Sequence, residues 1–236
     1  MRRAGQVVRE VLELVRGLVK PGVTTLDLEK AAEARTLELG ARPAFKGYHG
    51  FPCVLCTSVN SEVVHGIPSA KRLLKEGEIV SVDFGAFVDG YCGDAAITVP
   101  VGKVDPETAR LMQVTEASLA AAIAVVKPGA TLGDVGFAVQ KVVEAAGFSV
   151  VRDFVGHGIG SHMHEDPQVP NFGVAGRGMK LRSGMVIAIE PMVNAGGHDV
   201  VVLGDGWTAV TADGSKSAHF EHTVAVTAAG ARVLTE

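Results

Sequence analysis

The sequence predicts an α+β fold in which a duplicated half builds a central antiparallel sheet flanked by helices. The chain has 236 residues, of which 47% are apolar and 20% charged, so it is long and apolar enough to bury a core. Its 29 glycines indicate many turns and argue against a helical bundle. Helical and β-rich segments are segregated within each half, which favours an antiparallel sheet over a Rossmann sheet.

The duplication is visible as two matches at a single offset of 107 residues. Val19–Leu28 is similar to Val126–Val135, and Lys75–Asp83 follows the same pattern as Arg182–Glu190. A period of this length is too long for a solenoid repeat. We therefore interpret the chain as two copies of a half-domain.

The two half-repeats cover approximately 1–105 and 106–236. No linker or low-complexity stretch divides them. We therefore expect a single domain, 1–236, whose halves share one sheet and one core.

Each half should begin with two helices joined by a Lys-Pro-Gly turn. Apolar residues at spacings of three and four form the first helix, and Lys-Pro-Gly ends it. Thr25 or Thr131 can cap the second helix. Gly40 and Gly147 stand where the C′ glycine of that second helix belongs.

Strands follow the helices in each half. The β-rich segments are 53–59, 78–88 and 91–99 in the first half, and 148–155, 185–193, 199–211 and 218–227 in the second. Between two of them, Asp89-Gly90 is typical of a two-residue hairpin loop. That loop pairs Asp83 with Ala96. It also places Asp94 on the same face as Asp83, at a diagonal separation of about 7–8 Å.

Carboxylates stand at matching places in the two halves. Asp83 and Glu190 each end an otherwise apolar strand, where a carboxylate is costly to bury unless it is paired or binds a cation. Asp83 and Asp94 would also repel each other, and a divalent cation between them resolves that repulsion. The alternative at this point is a pair of solvated acids on an edge hairpin.

Two further groups extend this set to a candidate two-metal site. His157 lies between glycines at the end of a strand, which lets the backbone approach closely and aims the ring. Glu221 lies in the last strand. Four carboxylates and one imidazole suit Mn, Fe, Co or Zn, whereas Mg would keep more water and fewer protein ligands.

Composition argues against several other classes. The formal net charge of −4 disfavours nucleic-acid binding, and no apolar run is long enough to span a bilayer. The N-terminus lacks a signal peptide, and three cysteines are too few for a disulfide framework, which favours the cytosol. Cys53 and Cys56 read as buried thiols rather than a redox pair or half a zinc site, because they lie in a β-rich run.

The order of the predicted ligands resembles the dinuclear metal set of methionine aminopeptidases, which have the duplicated pita-bread fold. The predicted ligands are, in order, Asp83, Asp94, His157, Glu190 and Glu221. The segments that carry the resemblance span the chain: Tyr48–Pro52, Cys56–Asn60, His65–Pro68, Gly93-Asp94, Gly156–Gly160, Met163–Glu165, Ile189–Pro191 and Glu221–Thr223.

The chain resembles the type I, bacterial form of this family. The interval between His164 and Glu190 has no room for the helical insertion of the type II enzymes. Two departures are visible. Cys92 stands where bacterial members often have His, and the chain starts inside what corresponds to the family's first helix.

The resemblance implies two divalent ions that activate a water for attack on the first peptide bond. It implies that Asp83 binds one ion, that Asp94 and Glu221 bridge both, and that His157 and Glu190 complete the other. The residues it implies to be catalytic are His65, His164 and Glu190, with the two histidines hydrogen-bonded to the substrate. The methionine pocket it implies is lined by Tyr48, Phe51, Cys56, His65, Phe172 and Trp207.

The expected substrate is therefore a peptide or nascent protein that begins with Met, cleaved in the cytoplasm by a monomer that could associate with the ribosome. Two alternatives stay open. A proline-directed exopeptidase of the aminopeptidase P or prolidase type usually carries an extra N-terminal domain, for which 236 residues leave no space. A non-catalytic pita-bread domain would bind peptides without cleaving them, but such relatives lose metal ligands that are all present here.

Overall fold

The computed structural model describes residues 1–236 and confirms the α+β class, because every strand pair is antiparallel and the helices come in two pairs. The helices are α1 Arg2–Leu18, α2 Thr25–Glu38, α3 Pro106–Val125 and α4 Leu132–Ala145. The strands are β1 Arg42–Pro43, β2 Leu55–Val59, β3 Glu62–Val64, β4 Ile79–Val88, β5 Tyr91–Pro100, β6 Ser149–Val150, β7 Gly156–Gly158, β8 Glu165–Val169, β9 Val186–Ile189, β10 Met192–Asn194, β11 Val200–Val202, β12 Ala209–Thr211, β13 Ser217–His219, β14 His222–Thr227 and β15 Gly230–Val233. None of the helices has the length and apolarity that crossing a bilayer requires.

The helix boundaries follow the sequence signals, with one correction. Thr131 caps α4 as predicted, but α2 is capped by Thr24, not by Thr25. Thr25 is already the first helical residue, and its hydroxyl donates to the carbonyl of Ser69 instead. Gly40 and Gly147 do follow the ends of α2 and α4, with φ of 66° and 80°.

The first-half hairpin has the predicted register. Asp89 and Gly90 both have positive φ, 50° and 80°, as a two-residue loop of the mirror-image type requires. Asp83 is paired with Ala96. Strand β4 continues five residues beyond Asp83, so this carboxylate lies within the strand and not at its end as expected.

The second half contains one long hairpin where the sequence predicted three separate strands. One continuous pairing register includes Ile189–His222, Met192–His219 and Val202–Ala209. The hairpin that this register defines turns at Asp205-Gly206. Residues 199–211 are therefore both arms of a hairpin tip and not a single strand. Glu221 lies in a break between β13 and β14, and the last strand is β15, which the sequence pattern did not predict.

Alternation along the strands separates two faces of the sheet. Val82 and Phe84 of β4 and Ile187 and Ile189 of β9 are buried in apolar clusters against the helices. Asp83 and Glu190, one residue out of phase, lie on the opposite face. The two largest apolar clusters lie one in each half, apart from Ile79, which belongs to the second-half cluster. Two smaller buried clusters contain residues of both halves.

The two halves meet along β5 and the strands β13 and β14. The main chains of Ala96 and Glu221 exchange two hydrogen bonds, at 2.9 and 3.4 Å. Threonine hydroxyls bridge the strands on either side of this pair. The Thr223 hydroxyl bonds both main-chain groups of Asp94, and the Thr98 hydroxyl does the same for His219.

Candidate active site

Three of the four predicted carboxylates lie in one row across the sheet. Asp83 is opposite Ala96, which is in turn bonded to Glu221. The register of the long hairpin then places Glu190 opposite Glu221. Because directly opposed residues of antiparallel strands share a face, all three carboxylates face the same side.

The other two predicted ligands, Asp94 and His157, belong to a second row. This row is displaced from the first by two residues along each strand. Asp94 is bonded to Thr223, which is paired with Ala188 of β9. The pairing of β7 with β9 places His157 opposite Ala188. A displacement of two residues preserves the face, so both rows converge. The ligand atoms of Asp94, His157 and Glu221 lie within 4.8 Å of one another.

The carboxylates of these rows fit divalent cations. Asp83 Oδ1, Asp94 Oδ1 and Glu221 Oε1 are buried and have no hydrogen-bond partner. Burial, and then the neighbouring negative charges, hold the pKa of Asp83 and of Glu221 well above the usual range. Burial raises the pKa of Asp94 to about 7. Unpartnered acceptors that repel one another are what an oxygen-binding cation would stabilise.

His157 offers a lone pair to the same space. Its Nδ1 lies 2.8 Å from the carbonyl oxygen of Gly158, which can only accept, so Nδ1 donates and Nε2 carries the lone pair. Nε2 is 3.6 Å from Glu190 Oε1, and two acceptors face each other there. Burial lowers the pKa of His157 to about 4, which keeps the ring neutral near pH 7.

The glycines beside His157 have the role that the sequence predicted. A Cβ on Gly156 would overlap the main-chain oxygen of Ala188, and one on Gly158 would overlap that of Asp166. Only glycine lets β7 fit between β8 and β9 at this distance. His157 itself lies in the middle of β7 rather than at a strand end.

Two further histidines, His65 and His164, lie beside the predicted ligands. His164 Nδ1 is 2.8 Å from the hydroxyl of Tyr48, and its ring lies edge-on to that of His157, with centroids 4.2 Å apart. His65 has its ring edge-on to that of Phe154, with centroids 5.4 Å apart. Burial, and then His164, lower the pKa of His65 to about 4.

A cavity of about 280 Å³ joins these groups. It is lined by all five predicted ligands together with Phe45, Tyr48, His49, Phe51, Cys56, His65, Met163, His164 and Trp207. The apolar wall is compact, since the rings of Phe51 and Trp207 pack edge-on with centroids 5.1 Å apart.

Phe172, which the resemblance placed in the methionine pocket, does not line this cavity. The guanidinium of Arg152 lies 5.7 Å from the centroid of its ring, outside the cavity. Met163, the residue before His164, lines the cavity instead. His49 and Met163 lie in segments that carry the family resemblance, so those segments contained the signal, whereas nothing in the sequence pattern marked Phe45.

A second and more polar cleft of about 570 Å³ adjoins the cavity. It shares His65, His157 and His164 with the cavity. Its remaining wall includes the polar side chains of Asp153 and Gln168. The two spaces together offer an apolar slot and a polar path that meet at the carboxylate rows.

The cysteines are ordinary thiols as expected, but Cys53 is only partly buried. All three are free. Cys56 is buried opposite Asp83 and lines the cavity, while burial raises the pKa of Cys53 to about 11 and keeps that thiol protonated.

Comparison with known proteins gives one consistent result. Residues 1–228 match the metallopeptidase family M24. A methionine aminopeptidase of Clostridium acetobutylicum is 51% identical over 235 residues, covering 100% of this chain and 94% of that protein. Methionine aminopeptidase 1 of Bacillus subtilis is 49% identical, with the same coverage.

Solved structures agree with the sequence comparison. The crystal structure of methionine aminopeptidase from Thermotoga maritima superimposes with a TM-score of 0.99 at 51% identity, covering 100% of this chain and 95% of that one. A prolidase from Pyrococcus horikoshii shares the fold alone, with a TM-score of 0.80 at 22% identity, and this chain covers 60% of it.

Proposed function

The chain belongs to metallopeptidase family M24, as a type I methionine aminopeptidase of the bacterial kind, and from that premise we propose that the cavity over the two carboxylate rows is its active site. The enzyme is a metal-dependent hydrolase that removes the N-terminal methionine of peptides and nascent proteins. The observation that carries the assignment of the site is the convergence of four carboxylates and one imidazole on one sheet face.

The proposed division of ligands combines residues of both rows. Asp83 would hold one ion, and His157 with Glu190 would hold the other. Asp94 and Glu221 would bridge both. Co, Mn, Fe and Zn all suit this set of oxygen ligands and one imidazole. When bound, the two ions supply a water that is acidic enough to attack near neutral pH.

The histidines would act as neutral hydrogen-bond donors. The lowered pKa of His65 keeps it uncharged near pH 7. When the Tyr48 hydroxyl donates to His164 Nδ1, the proton of that ring stays on Nε2. Both rings can then donate to the substrate's carbonyl oxygen as it gains negative charge, an interaction whose loss typically costs 10²–10³ in rate.

Glu190 would move the proton. Its Oε1 faces His157, and its Oε2 points away from that ring toward His219. This carboxylate would accept a proton from the attacking water and return it to the departing amine.

The pocket for methionine would be the apolar end of the cavity. Phe51, Cys56, Met163 and Trp207 form its wall, with Tyr48 and His65 at the boundary to the ligands. An unbranched thioether fits such a slot, and contacts between sulfur and aromatic rings favour it modestly. The polar cleft beside it would take the following residues of the peptide.

Three finer points belong to the same proposal. We propose that the enzyme works in the cytoplasm, as a monomer, and meets nascent chains by associating with the ribosome. Its three free cysteines suit a reducing compartment, and its substrate chemistry requires access to new N-termini.

Peptide cleavage by the metal-loaded protein tests the proposal. Met-Gly-x peptides should be cleaved and x-Pro peptides left intact, since the likeness to the prolidase extends to the fold only. An Asp94→Asn variant should lose most activity, because it removes a charge that both ions need. Preference for x-Pro peptides, or full activity of the variant, would contradict the assignment.

A further inference from the structure

His219 is a buried histidine that the proposed mechanism does not use. It lies two residues before Glu221, on the same face of the long hairpin, and only 1% of its surface is exposed. Its Nε2 has no hydrogen-bond partner. Its main chain is held by the Thr98 hydroxyl, so the ring is anchored where the two halves meet.

The unpartnered nitrogen of His219 faces Glu190. Nε2 lies 3.8 Å from Glu190 Oε2, and His157 Nε2 lies 3.6 Å from Glu190 Oε1. The Glu190 carboxylate therefore stands between two imidazoles, with one oxygen toward each. Because His157 already donates through Nδ1, its Nε2 has no proton to offer, and Oε1 can be shared with it only through a cation.

We propose that His219 is a positioning residue for Glu190: its Nε2–H donates to Oε2 and thereby turns Oε1 toward the ion held with His157. This inference rests on the proposed metal site. The last torsion of a glutamate has a broad energy profile, so a small rotation of the carboxylate completes the bond. Hydrogen bonds to metal ligands of this kind typically change metal affinity by 10- to 100-fold.

The test compares three variants of the full chain, each freed of metal and titrated with Co²⁺ by calorimetry and visible absorption. His219→Leu removes the donor, whereas His219→Gln keeps an N–H at similar reach. His222→Gln is the matched control, since that ring lies on the other face and bonds Thr235. We expect His219→Leu to weaken one of the two Co²⁺ binding steps 10- to 100-fold. The affinity of that step in His219→Gln should lie within about threefold of the wild-type value. The control variant His222→Gln should leave both steps unchanged.

Two results would overturn the inference. One is unchanged Co²⁺ affinity in His219→Leu, and the other is equal weakening in Leu and Gln, which would indicate packing alone. If His219→Leu does not fold, His219→Asn replaces it, because its shorter amide cannot reach Oε2. Failure of the wild-type protein to bind Co²⁺ would refute the metal site itself, whereas wild-type binding with indifferent variants refutes only the role of His219.

Discussion

Replacing Thr223 by valine should destabilise the protein by about 1–5 kcal/mol. The Thr223 hydroxyl donates to the main-chain oxygen of Asp94 at 2.7 Å and accepts from its N–H at 3.0 Å. Thr223 is fully buried, at 0% exposure. Valine has the same shape but no hydroxyl, so the substitution removes both bonds and leaves the packing nearly unchanged.

The expected loss of stability follows from the hydrogen-bond partners that the main chain of Asp94 would lose. The two-residue loop of the first hairpin makes Val88 and Tyr91 a bonded pair, and the alternation of bonded and non-bonded pairs then turns both main-chain groups of Asp94 away from β4. Without the Thr223 hydroxyl they have no partner. Each such group costs about 1–3 kcal/mol, and the buried methyl of valine returns up to about 1 kcal/mol.

Urea unfolding of the metal-free protein, followed by circular dichroism, measures this effect. Thr223→Ser is the control, because it keeps the hydroxyl and loses one methyl, for about 1 kcal/mol. The valine variant should also bind Mn²⁺ more weakly, since Asp94 is a proposed ligand. The reasoning is refuted if valine is no more destabilising than serine.

Three other perturbations have defined outcomes. Tyr48→Phe keeps the ring but frees His164 Nδ1, so kcat for a Met-Gly-x peptide should fall roughly 2- to 10-fold with KM nearly constant; a raised KM with unchanged kcat would contradict this role. Ion binding by the metal-free protein should weaken as pH falls below about 7, because burial raises the pKa of Asp94 to about 7 and protons then compete with the ion. Mn²⁺ affinity should therefore be at least roughly tenfold lower at pH 6 than at pH 8, and equal affinities would exclude this competition. Gly156→Ala places a methyl group against a main-chain carbonyl of β9 and should cost about 1–3 kcal/mol in urea unfolding, whereas Gly204→Ala, which meets no neighbouring atom, should cost less than 1 kcal/mol.

The parts of the site that lie on regular strands could be predicted from the sequence. The Asp89-Gly90 loop admits one register, and that register alone brings Asp83 and Asp94 to one face. The glycines around His157 likewise indicated a close backbone approach. In both cases the local chemistry leaves little choice of geometry.

The parts that depend on chain paths between elements could not be predicted. Phe172 and Met163 are both apolar residues in irregular segments, and only the folded path shows which of them reaches the cavity. The strand breaks could not be predicted either. The strands of the long hairpin are interrupted at Glu190 and Glu221, but the β-rich sequence pattern does not change there. Thr24 and Thr25 compete for the same cap, and the capping box with Asp27 decides between them.

Because the two halves meet at Ala96 and Glu221, the proposed metal site would be divided if the chain were cut into two fragments. The first half supplies two of the proposed ligands, and the second supplies the other three. Fragments separated in the link between β5 and α3 should each bind ions poorly and reassemble when ions are added, because a ligand that binds only the joined form favours it by mass action. A shortage of metal would then weaken the association of the two halves as well as abolish activity. The rate of cleavage by proteases should therefore rise as the metal concentration falls.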